Sequence, residues 1–222
     1  MNDELDAAKA IAVQAGNLLL KYFAEKTSVR WKGKNNPVTD ADQSASRFIV
    51  GELRGRFPLD GILSEEEKDD TNRLAKPRVW IIDPMDGTSE FIAGRSEFAV
   101  MIGLAVDGRP YPGVVYQPLE KKLFYAESGI GAFLETGSTK KQLRVSLESN
   151  PALATLAASR SHDSEVFSEL ADRPREFRES APQNNRRNGR HTTGVRDVVM
   201  DCAVRRTPCT AVHSWDGSSP QR

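Results

Sequence analysis

Leu5, Ala8, Ile11, Ala12, Ala15, Leu18 and Leu19 recur at helical spacing, which predicts an amphipathic helix from about Asp3 to Glu25. Thr27 to Thr39 shows no such period and reads as a loop holding Lys32, Gly33 and Lys34. A second helix is expected from about Asp42 to Arg56, where Thr39 and Asp42 are good entry residues and Phe57-Pro58 ends it. After Pro58 the pattern changes to short apolar runs. Strands are expected near Gly61–Ser64, Val79–Asp83, Ala99–Val106, Gly113–Gln117, Leu123–Ala126 and Gly129–Leu134, with a hairpin turn at Asp107-Gly108. No internal repeat is present. Two helices followed by these strands predict an α+β chain, with the helices layered on a largely antiparallel sheet.

The pattern fails towards the C-terminus. From Ala171 to Arg222 the chain has ten Arg and no Lys, and Pro, Asn and Ser accumulate. Ala181-Pro182-Gln183-Asn184-Asn185-Arg186-Arg187-Asn188-Gly189-Arg190 is almost free of apolar side chains. High polarity without periodicity reads as loop or disorder. A shifted reading frame in a GC-rich gene yields Arg, Pro and Ser and destroys hydrophobic periodicity, so an out-of-frame tail is one expectation for the last ~50 residues. A diverged but genuine C-terminus is the other.

Composition narrows the function only slightly. A chain of 222 residues can bury a sizeable core, and its 31 basic and 31 acidic residues give zero formal net charge. No global basic field favours nucleic acid. Neither a signal peptide nor an apolar run of about 18 residues is visible, so a cytoplasmic protein without membrane attachment is expected. Cys202 and Cys209 suggest neither a disulfide framework nor zinc spacing.

Chemistry concentrates in Trp80-Ile81-Ile82-Asp83-Pro84-Met85-Asp86-Gly87-Thr88. An apolar strand delivers Asp83, turns at Pro84 and presents Asp86. Gly87 removes a side chain where backbone and ligand come close, and Gly87-Thr88 offers N–H groups and a hydroxyl to an anion. Converging carboxylates beside such a cradle suit Mg²⁺, which shares its coordination between protein oxygens, water and phosphate. Upstream, Gly61–Ser64 ends in Glu65-Glu66-Glu67. If the two strands are neighbours, Glu65 and Asp83 meet at one end of a sheet. Taken singly, Glu65–Asp70 reads as a solvated charged turn, Thr39 and Asp42 as helix caps, and Asp83 and Asp86 as turn formers. Together they point to metal-assisted phosphate chemistry.

Ser64-Glu65-Glu66, the run Asp83-Pro84-Met85-Asp86-Gly87-Thr88 and the later Trp215-Asp216 resemble the shared pattern of the inositol monophosphatase superfamily, lithium-sensitive and Mg²⁺-dependent phosphomonoesterases. Ser89-Glu90-Phe91-Ile92, Glu97–Leu104 and Ala158-Ser159-Arg160-Ser161-His162 are similar to the 3'(2'),5'-bisphosphate nucleotidase branch, the CysQ proteins. Lys34 departs from that branch, which often has an acidic residue in this loop.

The resemblance implies a layered α/β sandwich of the inositol monophosphatase/fructose-1,6-bisphosphatase type, with the C-terminal part disrupted or truncated. Residues 1–130 would form the metal-binding subdomain, 131–170 the start of a C-terminal α/β subdomain, and 171–222 the atypical tail. It implies two Mg²⁺, or three, held by Glu65, Asp83, the Met85 carbonyl, Asp86 and Asp216, with Li⁺ as inhibitor. Glu65 and Thr88 would orient the attacking water, and Asp42 would reach a weaker third ion through water. Gly87, Thr88, Ser159, Arg160, Ser161 and His162 would hold phosphate groups. The implied reaction removes the 3'-phosphate of adenosine 3',5'-bisphosphate, in sulfur metabolism; an inositol monophosphatase and an inactive remnant are the alternatives. The partner is a small phosphorylated metabolite rather than nucleic acid or membrane, and a homodimer is left open. Trp215-Asp216 is followed only by Gly217 to Arg222 where the family continues with a helix and a strand, so activity well below an intact relative's is expected.

Overall fold

The computed structural model describes residues 3–25, 29–33, 36–69 and 71–147. Helix α1 (Asp3–Glu25) turns its small-residue face inward, burying Ala7, Ala8, Ile11, Ala12, Ala15, Gly16 and Leu19. Its approach to the sheet is close, since a Cβ at Gly16 would lie 2.6 Å from the Tyr116 ring. Strands β1 (Val29–Gly33) and β2 (Asn36–Thr39) pair as an antiparallel hairpin. The sequence predicts a loop there. Four- and five-residue strands broken by Pro37 and Gly33 carry no readable alternation, and their pairing is made by backbone.

Helix α2 (Asp40–Arg56) opens on a reciprocal cap: the Thr39 hydroxyl accepts from the Asp42 N–H, and the Asp42 carboxylate accepts from the Thr39 N–H. Phe57 closes the helix before Pro58, and α2 buries Ala41, Ala45, Ile49 and Leu53.

Strands β3 (Gly61–Ser64) and β4 (Arg78–Asp86) lie parallel at one side of the main sheet, with a 3₁₀ turn, Asn72–Ala75, in the connection. A short helix α3 (Thr88–Ile92) follows β4. Then come β5 (Ala99–Val106), β6 (Arg109–Gln117), β7 (Lys122–Glu127), β8 (Gly131–Thr136) and β9 (Thr139–Leu143), each antiparallel to its predecessor, β5 to β4 included. Strand order follows chain order, β3 to β9. Asp107 and Gly108 take φ of 50° and 71°, the left-handed pair that a two-residue hairpin of this twist requires. β9 escapes the sequence pattern because Thr-Lys-Lys-Gln-Leu is polar; among the described residues it stands at the edge of the sheet, where polar side chains are favoured. Across residue 130, where the sequence suggests a division, the sheet continues through β8 and β9.

One face of the sheet carries Trp80, Ile82, Val100, Ile102, Leu104 and Val114, which form a single core with α1 and α2. The layering is the expected one of helices on a largely antiparallel sheet. A second, smaller cluster contains Ala99, Val115, Phe124, Ala126 and Ala132.

A polar clip ties the layers at the end of the sheet away from the carboxylates. Asp60 accepts from Arg78 Nε and from Trp80 Nε1, each at 2.9 Å, and Arg78 reaches Glu4 on α1 at 2.8 Å. Trp80 is fully buried, so Asp60→Ala leaves its indole N–H without a partner. That substitution is expected to cost about 1–3 kcal/mol, read as a lower denaturant midpoint with an unchanged slope.

Candidate active site

The parallel pairing of β3 with β4 brings two strand ends together. Ser64 lies opposite Ile82, and the Glu65 N–H donates to the Ile82 carbonyl at 3.1 Å, so Glu65 and Asp83 leave the sheet side by side. This is the neighbour relation that the sequence left conditional.

A bulge places the third acid. In an unbroken strand, residues three apart point to opposite faces. Here Asp83 pairs with Met101 and Asp86 with Ala99, so three steps along β4 match two along β5. Asp83 and Asp86 therefore share one side of the sheet. Pro84 lies inside the bulge, where its missing N–H disturbs no ladder bond.

Electrostatics follow from this crowding. Burial first, then the charges of Glu65 and Asp86 and a side-chain hydrogen bond with Glu65, push the Asp83 carboxyl up to about 9. The Met85 N–H, donating to Asp83 Oδ1 at 3.1 Å, opposes that rise only in part.

A second arrangement joins α2 to the end of β4. Asp42 is buried, with Oδ2 accepting from the Thr39 N–H at 2.7 Å and from its hydroxyl at 2.6 Å. Oδ1 accepts from the Thr88 hydroxyl at 3.0 Å, and that hydroxyl also lies 3.2 Å from the Met85 carbonyl. One hydroxyl has one proton, so Thr88 serves these two acceptors by turns. Burial raises the Asp42 carboxyl, against the hydrogen bonds from Thr39 and Thr88. The sequence marks Asp42 as a helix cap, and the family resemblance implies a distant ion contact. Its link to Thr88 is a tertiary contact across 46 positions that no local pattern displays.

Gly87 also meets a close approach within the chain. Its φ is 92°, and a Cβ would stand 2.5 Å from the Glu97 carbonyl oxygen, so the close neighbour is the chain itself. α3 went unpredicted because five residues hold too little period to read. Its buried Glu90 is paired with Arg95 at 2.6 Å.

Glu65, Asp83 and Asp86 are hard oxygen donors whose mutual repulsion a divalent cation relieves, and on that chemistry the set fits Mg²⁺. As the side chains stand, no three acidic, histidine or cysteine groups among the described residues surround a common point. Ser159, Arg160, Ser161, His162 and Asp216 lie outside the described residues, as do Lys34, Cys202, Cys209 and the tail from 171.

The inositol monophosphatase family model matches residues 1–210. The chain belongs to that family. Among curated proteins it is 40% identical over 135 residues to the histidinol-phosphatase of Chlorobaculum parvum, a match covering 60% of this chain and 51% of that protein. It is 33% identical over 215 residues to the 3'(2'),5'-bisphosphate nucleotidase CysQ of Aggregatibacter actinomycetemcomitans, covering 95% of this chain and 77% of the relative. Among solved structures, CysQ from Bacteroides thetaiotaomicron superposes with a TM-score of 0.62 at 31% identity, over 76% of this chain and 67% of that one. The chain therefore spans about half of the first relative and about three quarters of the second. These likenesses support the resemblance to the family and to its CysQ branch, and the layered fold with it. No described helix is long and apolar enough to cross a membrane.

Proposed function

We propose that the chain is built as a divalent-cation-dependent phosphomonoesterase of a small phosphorylated metabolite, with the 3'-phosphate of adenosine 3',5'-bisphosphate as its first substrate. The observation that carries the proposal is Asp83, set between Glu65 and Asp86 by a strand pairing and a bulge, with Thr88 hydrogen-bonded to Asp42 a few residues on.

Glu65, Asp83, the Met85 carbonyl and Asp86 would hold Mg²⁺, and Asp216 would add a ligand. Bound there, Mg²⁺ supplies Lewis-acid polarisation of a phosphoryl oxygen and makes water more acidic. The residues of the chain do the rest. Asp42 accepts the Thr88 proton, which leaves the Thr88 oxygen lone pairs directed at an incoming water. Thr39 fixes Asp42 through the helix cap and so holds that pair in place. Glu65, exposed at the strand end, is the second group able to orient the water. Gly87 and Thr88 would meet phosphoryl oxygens, and Ser159, Arg160, Ser161 and His162 would receive a second phosphate.

Thr88→Val keeps the shape and removes the hydroxyl. It is expected to lower kcat by about a hundredfold or more with little change in KM, whereas Thr88→Ser retains most activity. Steady-state rates of the two variants check this.

Substrate is chosen by comparing hydrolysis of adenosine 3',5'-bisphosphate, inositol 1-phosphate and histidinol phosphate in Mg²⁺, with Li⁺ expected to inhibit. Preference for the nucleotide supports the CysQ-like reading, preference for inositol phosphate the monophosphatase reading, and no turnover the inactive remnant. Residues 1–130 as the metal-binding subdomain and 131–170 as the start of a C-terminal α/β subdomain belong to the same proposal, with β8 and β9 continuing the first sheet across residue 130. If 171–222 is out of frame, turnover lies far below an intact relative's; a value within about tenfold of that relative overturns this expectation. Reading the coding DNA downstream of codon 170 decides between the two origins of the tail. A cytoplasmic location and a homodimer belong to the same proposal.

A further inference from the structure

The 3₁₀ turn Asn72–Ala75 lies against β3, and between β3, the residues Glu67–Asp69 and Asn72–Lys76, and the later turns of α2 is a cavity of about 400 Å³. Contact is tight at its base, where a Cβ on Gly61 would come 2.9 Å from Arg73 Cβ. Small-molecule sites span roughly 300–1,000 Å³, so the volume suffices for a compact ligand.

Four cations, Arg54, Lys68, Arg73 and Lys76, line the cavity against three carboxylates, Asp60, Glu67 and Asp69. Two of the carboxylates are already engaged. Asp60 takes Arg78 and Trp80, each at 2.9 Å, and Asp69 takes Arg73 at 2.7 Å. Among the described residues, the Glu67 carboxylate accepts only from the Ser46 hydroxyl, at 3.4 Å. No ion pair or side-chain hydrogen bond among the described residues holds Arg54, Lys68 or Lys76. Three cations without a side-chain partner among the described lining residues thus face one carboxylate, Glu67, beside the apolar side chains of Val50, Pro58 and Ile62.

This charge is opposite in sign to that of the carboxylate cluster, although the two places adjoin: Ser64 lines the cavity and Glu65 follows it. We propose that the cavity is a separate anion site, which takes the phosphate group of a small organic phosphate on Arg54, Lys68 and Lys76 and rests its body on Ile62 and Pro58. Arg54 offers the planar fork that matches a phosphate, and the two lysines add charge.

The test uses the full chain in EDTA, where the acidic cluster repels anions, with phenyl phosphate and inorganic phosphate as calorimetric probes. Both are expected to bind saturably, phenyl phosphate more tightly because of its apolar ring. The double variant Arg54→Glu/Lys76→Glu is expected to weaken both by more than about tenfold, with its circular dichroism unchanged. Asp83→Asn is expected to leave both within about twofold, which separates this site from the carboxylate cluster. Absence of saturable binding, or binding lost in Asp83→Asn and kept in the charge-reversed variant, overturns the proposal. Neither result bears on phosphatase activity, which is measured with Mg²⁺.

Discussion

Replacing Asp83 with asparagine is expected to end Mg²⁺-dependent hydrolysis and, without divalent cations, to make the chain more stable. These opposite effects have one cause. Asp83 stands in a partly buried position beside Glu65 and Asp86, and its carboxyl is held protonated far above the usual range. Asparagine is neutral and of similar shape, so it removes the cost of keeping an acid there. The midpoint in EDTA near neutral pH should rise by at least about 3 °C, the shift that roughly 1 kcal/mol produces in a chain of this size. On the proposed function, catalysis would suffer because Mg²⁺ would lose one of the carboxylates that would hold it. Groups that merely orient metal ligands are worth about 10–100-fold, so a ligand itself should cost more than about a hundredfold. Thermal melts and initial rates on one preparation measure both effects. Retained Mg²⁺-dependent turnover in Asp83→Asn would remove the site from this place in the fold.

Mg²⁺ is expected to stabilise the wild-type chain by an amount that grows with pH. In the unfolded chain Asp83 titrates near 3.8, and in the folded chain near 9. Between these values the folded state binds the extra proton. The stability contributed by this group is therefore full below the unfolded value and is lost as pH rises through the folded one, by up to about 1.4 kcal/mol per pH unit. A bound cation favours the carboxylate, expels that proton and removes the loss. Unfolding midpoints in EDTA and in Mg²⁺ should thus lie close together near about pH 5.5 and separate steadily towards about pH 8.5. Asp83→Asn should abolish the separation. Curves that run parallel in the wild-type chain would show that Asp83 gives up no proton to the ion.

Much of this site can be read before any coordinates, because its acids lie at the ends of apolar strands. The run Ile81-Ile82-Asp83 and the run Ile62-Leu63-Ser64-Glu65 each announce a strand that stops at a carboxylate. Their adjacency is tertiary, and only the parallel pairing supplies it. Asp83 and Asp86 are harder. Simple alternation sends them to opposite faces, and the bulge that reunites them is hinted at only by Pro84 within a strand. Asp42 shows as a cap because Thr39 and Asp42 have the right spacing, while its second bond, to Thr88, needs α2 packed beside β4. Among the elements, those with long apolar period were legible: α1, α2 and β5. The hairpin β1–β2, helix α3 and edge strand β9 were not. Each is short, and each is held by backbone pairing or by burial of one or two side chains, which no spacing rule reports.

The most direct measurement is a crystal structure of the full chain soaked in Mn²⁺, with anomalous data collected at the metal's edge. Strong peaks within bonding distance of Glu65, Asp83 and Asp86 are expected, absent from Asp83→Asn crystals treated alike. No peak there, or manganese bound only elsewhere, would contradict a cation site built from these three acids.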